Sequence, residues 1–166
     1  MRKRVAIAAL AASFMWAGCN VVPHKAYEGP SRPDRELSFF RAGAYGDEAS
    51  PMSLTDLRTI DGVEQRNGMY LASVLPGRHF VGVTETTRMG TYTRLQYCGF
   101  VIDTLPACTY SPRPPSPPSD AIANRLKDWE WSVDMSTGIE CMDGAAYQTR
   151  ITARCGSSPK LLEKPR

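Results

Sequence analysis

The sequence predicts a mainly β fold, a small antiparallel sheet or sandwich with one short helix, and three observations carry this prediction. Short runs rich in β-branched and aromatic residues recur between residues 54 and 155. Dipeptides typical of tight turns, Asp61-Gly62 and Pro76-Gly77, separate two pairs of these runs. From Trp129 to Met135, apolar and polar residues alternate with the period of a half-buried strand.

The strands are predicted in chain order from the same signals. Runs with strand composition occupy residues 54–60, 69–75, 80–86 and 92–102, and the alternating stretch from Trp129 continues to Cys141. Asp143-Gly144 then predicts a hairpin turn. The return strand carries Tyr147, Thr149, Ile151, Ala153 and Cys155 on one face and polar residues on the other. This alternation predicts a sheet with one solvated side.

A targeting segment precedes this fold. Residues 2–4 are basic, residues 5–17 form an apolar run, and small residues close the run before Cys19. This order is typical of a secretory signal. A helix of about thirteen residues would span roughly 20 Å, short of the roughly 30 Å hydrocarbon core, so a transmembrane anchor is the weaker interpretation.

The end of this segment resembles the lipobox of bacterial lipoproteins, with Trp16 where those proteins usually have leucine. The resemblance implies that residues 1–18 are a signal peptide and that Cys19 becomes a lipidated, acylated N-terminus. Since Asn20 is not the aspartate associated with inner-membrane retention, the resemblance implies anchoring in the outer membrane, facing the periplasm. Ordinary secretory cleavage after Ser13 or Cys19 is the alternative.

Charge argues against a nucleic-acid partner. The chain has 20 basic and 17 acidic residues, and three of the basic ones lie in residues 1–18, which contain no acid. Removing those three leaves 17 basic and 17 acidic residues, a net charge of zero. A neutral domain lacks the basic surface that phosphate backbones require.

Cysteine parity predicts two disulfides. Beyond Cys19 the chain has Cys98, Cys108, Cys141 and Cys155, an even number that suits an exported chain in an oxidising compartment. Three pairings are open, and a hairpin turning near residue 103 favours Cys98 with Cys108 and Cys141 with Cys155. A zinc site built from these thiols and His79 is the alternative, but it lacks a Cys-x-x-Cys pair.

Composition divides the rest of the chain. Residues 19–52 are interrupted by proline and glycine and predict a lipid-anchored flexible tether, in which Leu37, Phe39 and Phe40 form either an early strand or a binding patch. The β domain is predicted over residues 53–155, with an exposed Pro-rich insertion at 111–119 and a short helix at 120–128. Residues 156–166 predict a disordered tail.

Several of these motifs carry a second resemblance. Ile60-Asp61-Gly62, then Leu75-Pro76-Gly77-Arg78-His79, then Gly144 with Tyr147 before an alternating strand, resemble the pattern of small proteobacterial envelope lipoproteins. The resemblance spans roughly residues 54–153 and implies a small sheet or sandwich. These proteins are largely of uncharacterised function, so the resemblance implies a fold and a location without an activity.

No motif predicts catalysis, a metal site or a cofactor. Acid pairs such as Asp56 with Glu64 or Asp134 with Glu140 have no spacing that requires proximity, and His79 has no matching nucleophile nearby. Trp129 and Trp131 are candidate ligand-binding residues that could stack on a sugar ring, although such pairs more often lie in a core.

We therefore expect a non-enzymatic envelope lipoprotein, held to the membrane by lipid, with a binding or structural role. Its expected partner is peptidoglycan or another envelope protein. An inhibitor of a wall hydrolase such as lysozyme is the alternative function, and a glycan-processing enzyme is the weakest alternative.

Overall fold

The computed structural model describes residues 22–45, 53–89, 92–115 and 128–165, and it confirms the mainly β class. Within these ranges the chain forms eleven strands and two short 3-10 turns, Asp34–Glu36 and Pro159–Leu162. The strands are His24–Lys25 (β1), Ser38–Arg41 (β2), Ala44–Tyr45 (β3), Ser53–Ile60 (β4), Val63–Met69 (β5), Leu71–Val74 (β6), Gly77–Met89 (β7), Tyr92–Thr104 (β8), Cys108–Arg113 (β9), Glu130–Cys141 (β10) and Ala146–Gly156 (β11).

Ten strands form one curled mixed sheet in the order β1-β6-β2-β9-β10-β11-β8-β7-β4-β3, and β5 pairs with β4 beside this path. The pairs β1 with β6 and β2 with β9 are parallel, and the others are antiparallel. No helix in the described ranges is long and apolar enough to cross a membrane. The predicted signal peptide and Cys19 lie outside the described residues.

Two long hairpins, β7–β8 and β10–β11, form the centre of the sheet. The first pairs from Gly77 with Thr104 to Met89 with Tyr92, and the second from Glu130 with Gly156 to Glu140 with Ala146. The predicted strands and the turns at residues 61–62 and 143–144 are confirmed. Asp61 and Gly62 both have positive φ, 52° and 84°, which matches the twist of a tight hairpin.

The concave side of the curl encloses the core. Alternate residues of each strand point inward, so the apolar faces of the two long hairpins meet those of β2, β4, β6 and β9. The largest fully buried apolar side chains are Tyr110, Phe40, Leu57, Ile60, Met135, Val74, Val81 and Val83.

The predicted flexible tether is wrong for residues 22–45. This segment contributes β1, β2 and β3, and β2 lies inside the sheet between β6 and β9. Leu37, Phe39 and Phe40 are buried, so the early strand is the correct alternative. The pairing partners of β2 lie thirty or more residues away in sequence, and local proline and glycine content carries no information about them.

The predicted disordered tail is also wrong for residues 156–165. The 3-10 turn Pro159–Leu162 packs on the convex face of the sheet, where Leu161 is buried. Glycines make room for it: a Cβ on Gly99 would lie 2.2 Å from the Leu161 carbonyl oxygen, and one on Gly156 would lie 2.9 Å from Leu161 Cδ1. The Leu162 carbonyl accepts a 2.8 Å hydrogen bond from Thr59 Oγ1.

The predicted exposed Pro-rich insertion is wrong at its start. Residues 111–113 are the end of β9, and Pro112 and Pro114 are buried. Pro112 lies opposite Thr137 of β10 but beyond the last residue of β9 that pairs with β2, a position where a ladder tolerates proline. Residues 116–119, and the predicted helix up to residue 127, lie outside the described residues.

The four cysteines form two disulfides as predicted, but the favoured pairing is wrong. Cys98 bonds Cys155 and Cys108 bonds Cys141. The reason is strand order: β8 has β7 and β11 as neighbours, whereas β9 has β10, so each cysteine lies directly opposite its partner in the ladder. Because all four thiols are used, the alternative zinc site is wrong as well.

Candidate binding cleft

A cleft opens where β8 and β11 stop pairing. These neighbouring strands are in register at four positions, from Tyr97 with Gly156 to Phe100 with Ala153. Both strands continue: β8 stays paired with β7 as far as Thr104, and β11 extends back to Ala146 on β10. The two hairpins therefore part beyond Phe100, and a depression of about 330 Å³ lies between them.

The Cys98–Cys155 disulfide lies at the top of the cleft, the end where β8 and β11 still pair. Its geometry shows which backbone groups point into the cleft. The Cα atoms of Cys98 and Cys155 are 4.1 Å apart, close to the roughly 4.5 Å of a non-hydrogen-bonded antiparallel pair and short of the roughly 5.5 Å of a hydrogen-bonded one. Their own N–H and C=O groups therefore point away from each other. Two-residue periodicity then directs the backbone groups of Val101 and Asp103 on β8 toward the cleft.

The same periodicity directs the backbone groups of Gln148, Arg150 and Thr152 on β11 toward the cleft. The hydrogen bonds agree with this assignment. The amide of Leu105, the next alternate residue after Asp103, donates to Tyr110 Oη at 2.7 Å. Burial raises the pKa of the Tyr110 phenol, even though the Leu105 amide hydrogen bond acts in the opposite direction, so the hydroxyl stays neutral.

The side chains that line the cleft differ between its floor and its rim. The floor is apolar, with Ile139 and Tyr110 buried and Ile151 half-buried. The rim exposes large apolar groups: Leu105 is 55% and Tyr147 45% exposed. A second depression of about 400 Å³ continues past Tyr147 to the Cys108–Cys141 disulfide. The cleft and this second depression together form a mostly apolar surface, interrupted by Thr149, with a hydrogen-bonding edge on each side of the cleft.

A wider groove of about 870 Å³ lies on the convex face beside the C-terminal segment. Its floor is built from small residues, including Gly99, Ser132 and Thr152, and an ion pair between Arg154 and Glu130 borders it. Lys160, Glu163 and Lys164 add charges of both signs. This mixture selects no particular ligand chemistry.

His79 is tied into the fold on both ring nitrogens. Nδ1 lies 2.6 Å from Asp61 Oδ2, and Nε2 lies 2.6 Å from the Leu75 carbonyl oxygen. The other carboxylate oxygen of Asp61 accepts the Phe80 amide at 3.0 Å. Burial alone would raise the pKa of Asp61, but the hydrogen bonds from His79 and Phe80 outweigh it and hold that pKa below its usual range. This arrangement joins two turns and leaves neither nitrogen free for catalysis.

A buried polar row crosses the opposite end of the interior. Glu85 on β7 lies opposite Gln96 on β8, and the Gln96 amide nitrogen donates to the Glu85 carboxylate and, at 2.9 Å, to the Pro115 carbonyl. Both side chains are at least nine-tenths buried. Burial raises the pKa of Glu85, although hydrogen bonds from Ser53 and Gln96 oppose this effect. The row secures the start of the Pro-rich segment to the sheet.

The two candidate tryptophans have different surroundings. Trp131 points inward and packs against the core, with its indole nitrogen buried. Trp129 precedes β10 and is half-buried, and its backbone exchanges hydrogen bonds with Ser157. The core interpretation therefore fits Trp131.

The acid pairs are not brought together. Asp134 and Glu140 lie six residues apart on β10, roughly 20 Å along an extended strand. Asp56 lies three residues from Thr59, the β4 residue opposite Glu64, so roughly 10 Å of strand separates that pair. Among the described residues, no three histidine, cysteine or acidic side chains form a metal-binding group.

The cleft residues were missed by sequence reasoning because nothing in residues 101–105 or 146–152 distinguishes a strand that loses its neighbour from one that keeps it.

No protein-family model, curated protein or solved structure matches the chain. The fold and the cleft define a class by themselves: a mainly β protein, held by two cross-strand disulfides, with a cleft between two strands.

Proposed function

We propose that this protein is an exported, lipid-anchored binding protein of the bacterial cell envelope without enzymatic activity. The observation that carries the proposal is the pairing state of the cysteines. All four cysteines beyond Cys19 are paired in disulfides, the state expected in an oxidising compartment. Cys19 is then the one cysteine left for the lipid that its signal-like surroundings imply.

The binding role draws its support from the cleft. Exposed apolar side chains such as Leu105 and Tyr147 are common at sites that another molecule covers. Concave, mostly apolar surfaces with a few directed polar groups are typical of binding sites. The engagement of both nitrogens of His79 supports a structural role for this histidine.

The position of β1 refines how the anchor would act. Only residues 20–23 separate Cys19 from His24, where the sheet begins. The five residue steps from Cys19 to His24 span roughly 18 Å at most. A lipid on Cys19 would therefore hold the folded domain close to the membrane surface, on the periplasmic side of the outer membrane if Asn20 directs sorting as the resemblance implies.

Intact mass spectrometry of the protein extracted from membranes tests the anchor. We expect the mass of residues 19–166 plus lipid, with four cysteines that become alkylatable only after reduction. Cys19→Ser is the matched control and should yield an unlipidated protein with the same two disulfides. An unlipidated wild-type mass would refute the anchor, and a free thiol among the other cysteines would refute the oxidising compartment.

Incubation with purified peptidoglycan separates the three functional hypotheses. Co-sedimentation without cleavage supports a binding protein whose partner is the wall. Protection of the wall from added lysozyme would favour the hydrolase inhibitor, and release of soluble fragments would favour a glycan-processing enzyme. The last result would overturn the non-enzymatic proposal.

A further inference from the structure

We propose that the cleft between β8 and β11 binds an extended segment of a partner protein, which joins the sheet as an added strand. The inference rests on the binding role proposed above and is independent of the lipid anchor. The hydrogen-bonded ladder between β8 and β11 stops at Phe100 and Ala153, although both strands continue. A site for one more strand is thus built on two sides by the same chain.

The backbone of the cleft selects a polypeptide. Among the described residues, no strand pairs with the cleft side of residues 101–104 or of residues 146–152. Val101 and Asp103 direct N–H and C=O groups into the cleft from one edge, and Arg150 and Thr152 do so from the other. An extended peptide presents donors and acceptors on both of its sides at the same repeat, so it can satisfy both edges at once.

The side chains select the pattern of that peptide. Strand residues alternate between faces, so every second residue of an inserted strand points toward the floor, where Ile139 and Ile151 flank Thr149. The residues between them face outward beside Asp103 and Arg150, whose charges are opposite. The expected partner segment therefore alternates apolar and polar residues and carries little net charge.

Hydrogen exchange with the full, disulfide-intact chain tests the inference. The probe is a short synthetic peptide of alternating valine and threonine with one lysine at one end and one glutamate at the other. At saturating peptide, we expect amide exchange at Val101 and Asp103 and at Gln148, Arg150 and Thr152 to slow by at least roughly tenfold, while the buried β4–β7 ladder is unchanged. The same peptide N-methylated on every backbone amide should give no protection, since it keeps the side chains and loses the donors toward both edges.

A pair of variants at one position separates backbone from side-chain contributions. Arg150→Pro removes an N–H that points into the cleft, whereas Arg150→Ala keeps it and removes only the exposed side chain. Since this N–H makes no bond to β10, proline is tolerated at the site. We expect Arg150→Pro to weaken peptide binding about fivefold to tenfold and Arg150→Ala to leave it within about twofold.

Three results would overturn the inference. The first is unchanged exchange at saturating peptide, and the second is equal protection by the N-methylated peptide. The third is protection that rises with protein concentration in the absence of peptide, which would assign the cleft to a second copy of this chain. None of them bears on the anchor, which the intact mass tests separately.

Discussion

Cys98 and Cys155 face each other across β8 and β11 with their Cα atoms 4.1 Å apart, two residues above the point where these strands separate. The disulfide thus closes the top of the cleft. Cys108–Cys141, with a Cα separation of 4.0 Å, joins β9 to β10 at the other end of the apolar surface. The two bonds together fix the frame within which the hairpins part.

Removal of either disulfide should lower stability by a similar amount. The bonds close loops with sequence separations of 57 and 33, and the chain-entropy relation gives about 4 kcal/mol for each. We expect Cys98→Ala with Cys155→Ala, and separately Cys108→Ala with Cys141→Ala, to reduce the free energy of unfolding by about 2 to 4 kcal/mol in urea titrations. Loss of less than about 0.5 kcal/mol in both would contradict a stapling role.

The two disulfides should differ in their local effect. Without Cys98–Cys155, we expect faster amide exchange at residues 97–100 and 153–156, because the short ladder there is the sole pairing between β8 and β11. The Cys108–Cys141 variant is the control and should leave that ladder protected. Equal exchange in both variants would show that the ladder holds the top of the cleft by itself.

Gly99→Ala should displace the C-terminal segment from the convex face. The new Cβ would lie 2.2 Å from the Leu161 carbonyl oxygen, a backbone atom that cannot rotate away. We expect a loss of about 1 to 3 kcal/mol in unfolding free energy. Gly138→Ala on β10 is the matched control, since its Cβ would meet nothing within 4 Å. A Gly99→Ala protein as stable as the control would refute the packing of residues 159–162.

Asp61 should contribute to the loss of unfolding free energy that occurs as the pH falls into the acidic range, here called the acid limb of the stability curve. Its pKa is lowered in the fold, so the folded state binds fewer protons than the unfolded state in this range. The contribution is present above the unfolded pKa of about 3.9 and is lost as the pH falls through the lower folded pKa. Urea titrations of Asp61→Asn should show a shallower decline on acidification. Asparagine tolerates the positive φ of this position, so the substitution isolates the charge.

A control at an exposed site keeps the Asp61 test specific. Asp34→Asn removes the same charge in an exposed 3-10 turn and should leave the acid limb unchanged. If both variants flatten the curve equally, net charge rather than the His79 contact explains the effect.

Glu85 should have the opposite dependence on pH. Burial raises its pKa, so the folded state retains a proton that the unfolded state releases above about 4.3. The contribution of Glu85 to stability is therefore largest at low pH and declines as the pH rises toward the raised pKa. Glu85→Gln accepts the Gln96 hydrogen bond without a charge to desolvate, and we expect it to be more stable than the wild type at neutral pH.

Denaturation at several pH values measures this effect, with Glu28→Gln at an exposed position as the matched control. A Glu85→Gln protein that loses stability at neutral pH would mean that the ionised carboxylate is stabilised in the fold.

Part of the fold could be predicted from local signals. The strands around residues 54–60 and 80–86, the β10–β11 hairpin and the turns at Asp61 and Gly144 follow from composition and two-residue alternation, which act over a few neighbouring residues. The presence of two disulfides follows from parity and from the expectation of export. The inward position of Trp131 agrees with the more common fate of an alternating tryptophan.

The errors fall where pairing is long-range. Residues 22–45 were expected to form a tether because proline and glycine interrupt them, yet Phe39 and Phe40 enter the core between β6 and β9. The polar composition of the C-terminal segment predicts disorder, yet Leu161 packs against Gly99 and Gly156. The contacts of β2 and of Leu161 are made with residues distant in sequence, so the neighbouring residues do not predict them.

The sequence by itself determined the β class, the turns, the even set of cysteines and the expectation of export, because each of these depends on residue type and near-neighbour spacing. Only the tertiary structure decided which cysteines meet, which flanking segments join the sheet, and where β8 separates from β11. These depend on strand order, which follows from how the whole chain buries its apolar faces. The cleft is a product of that order, so no stretch of residues encodes it alone.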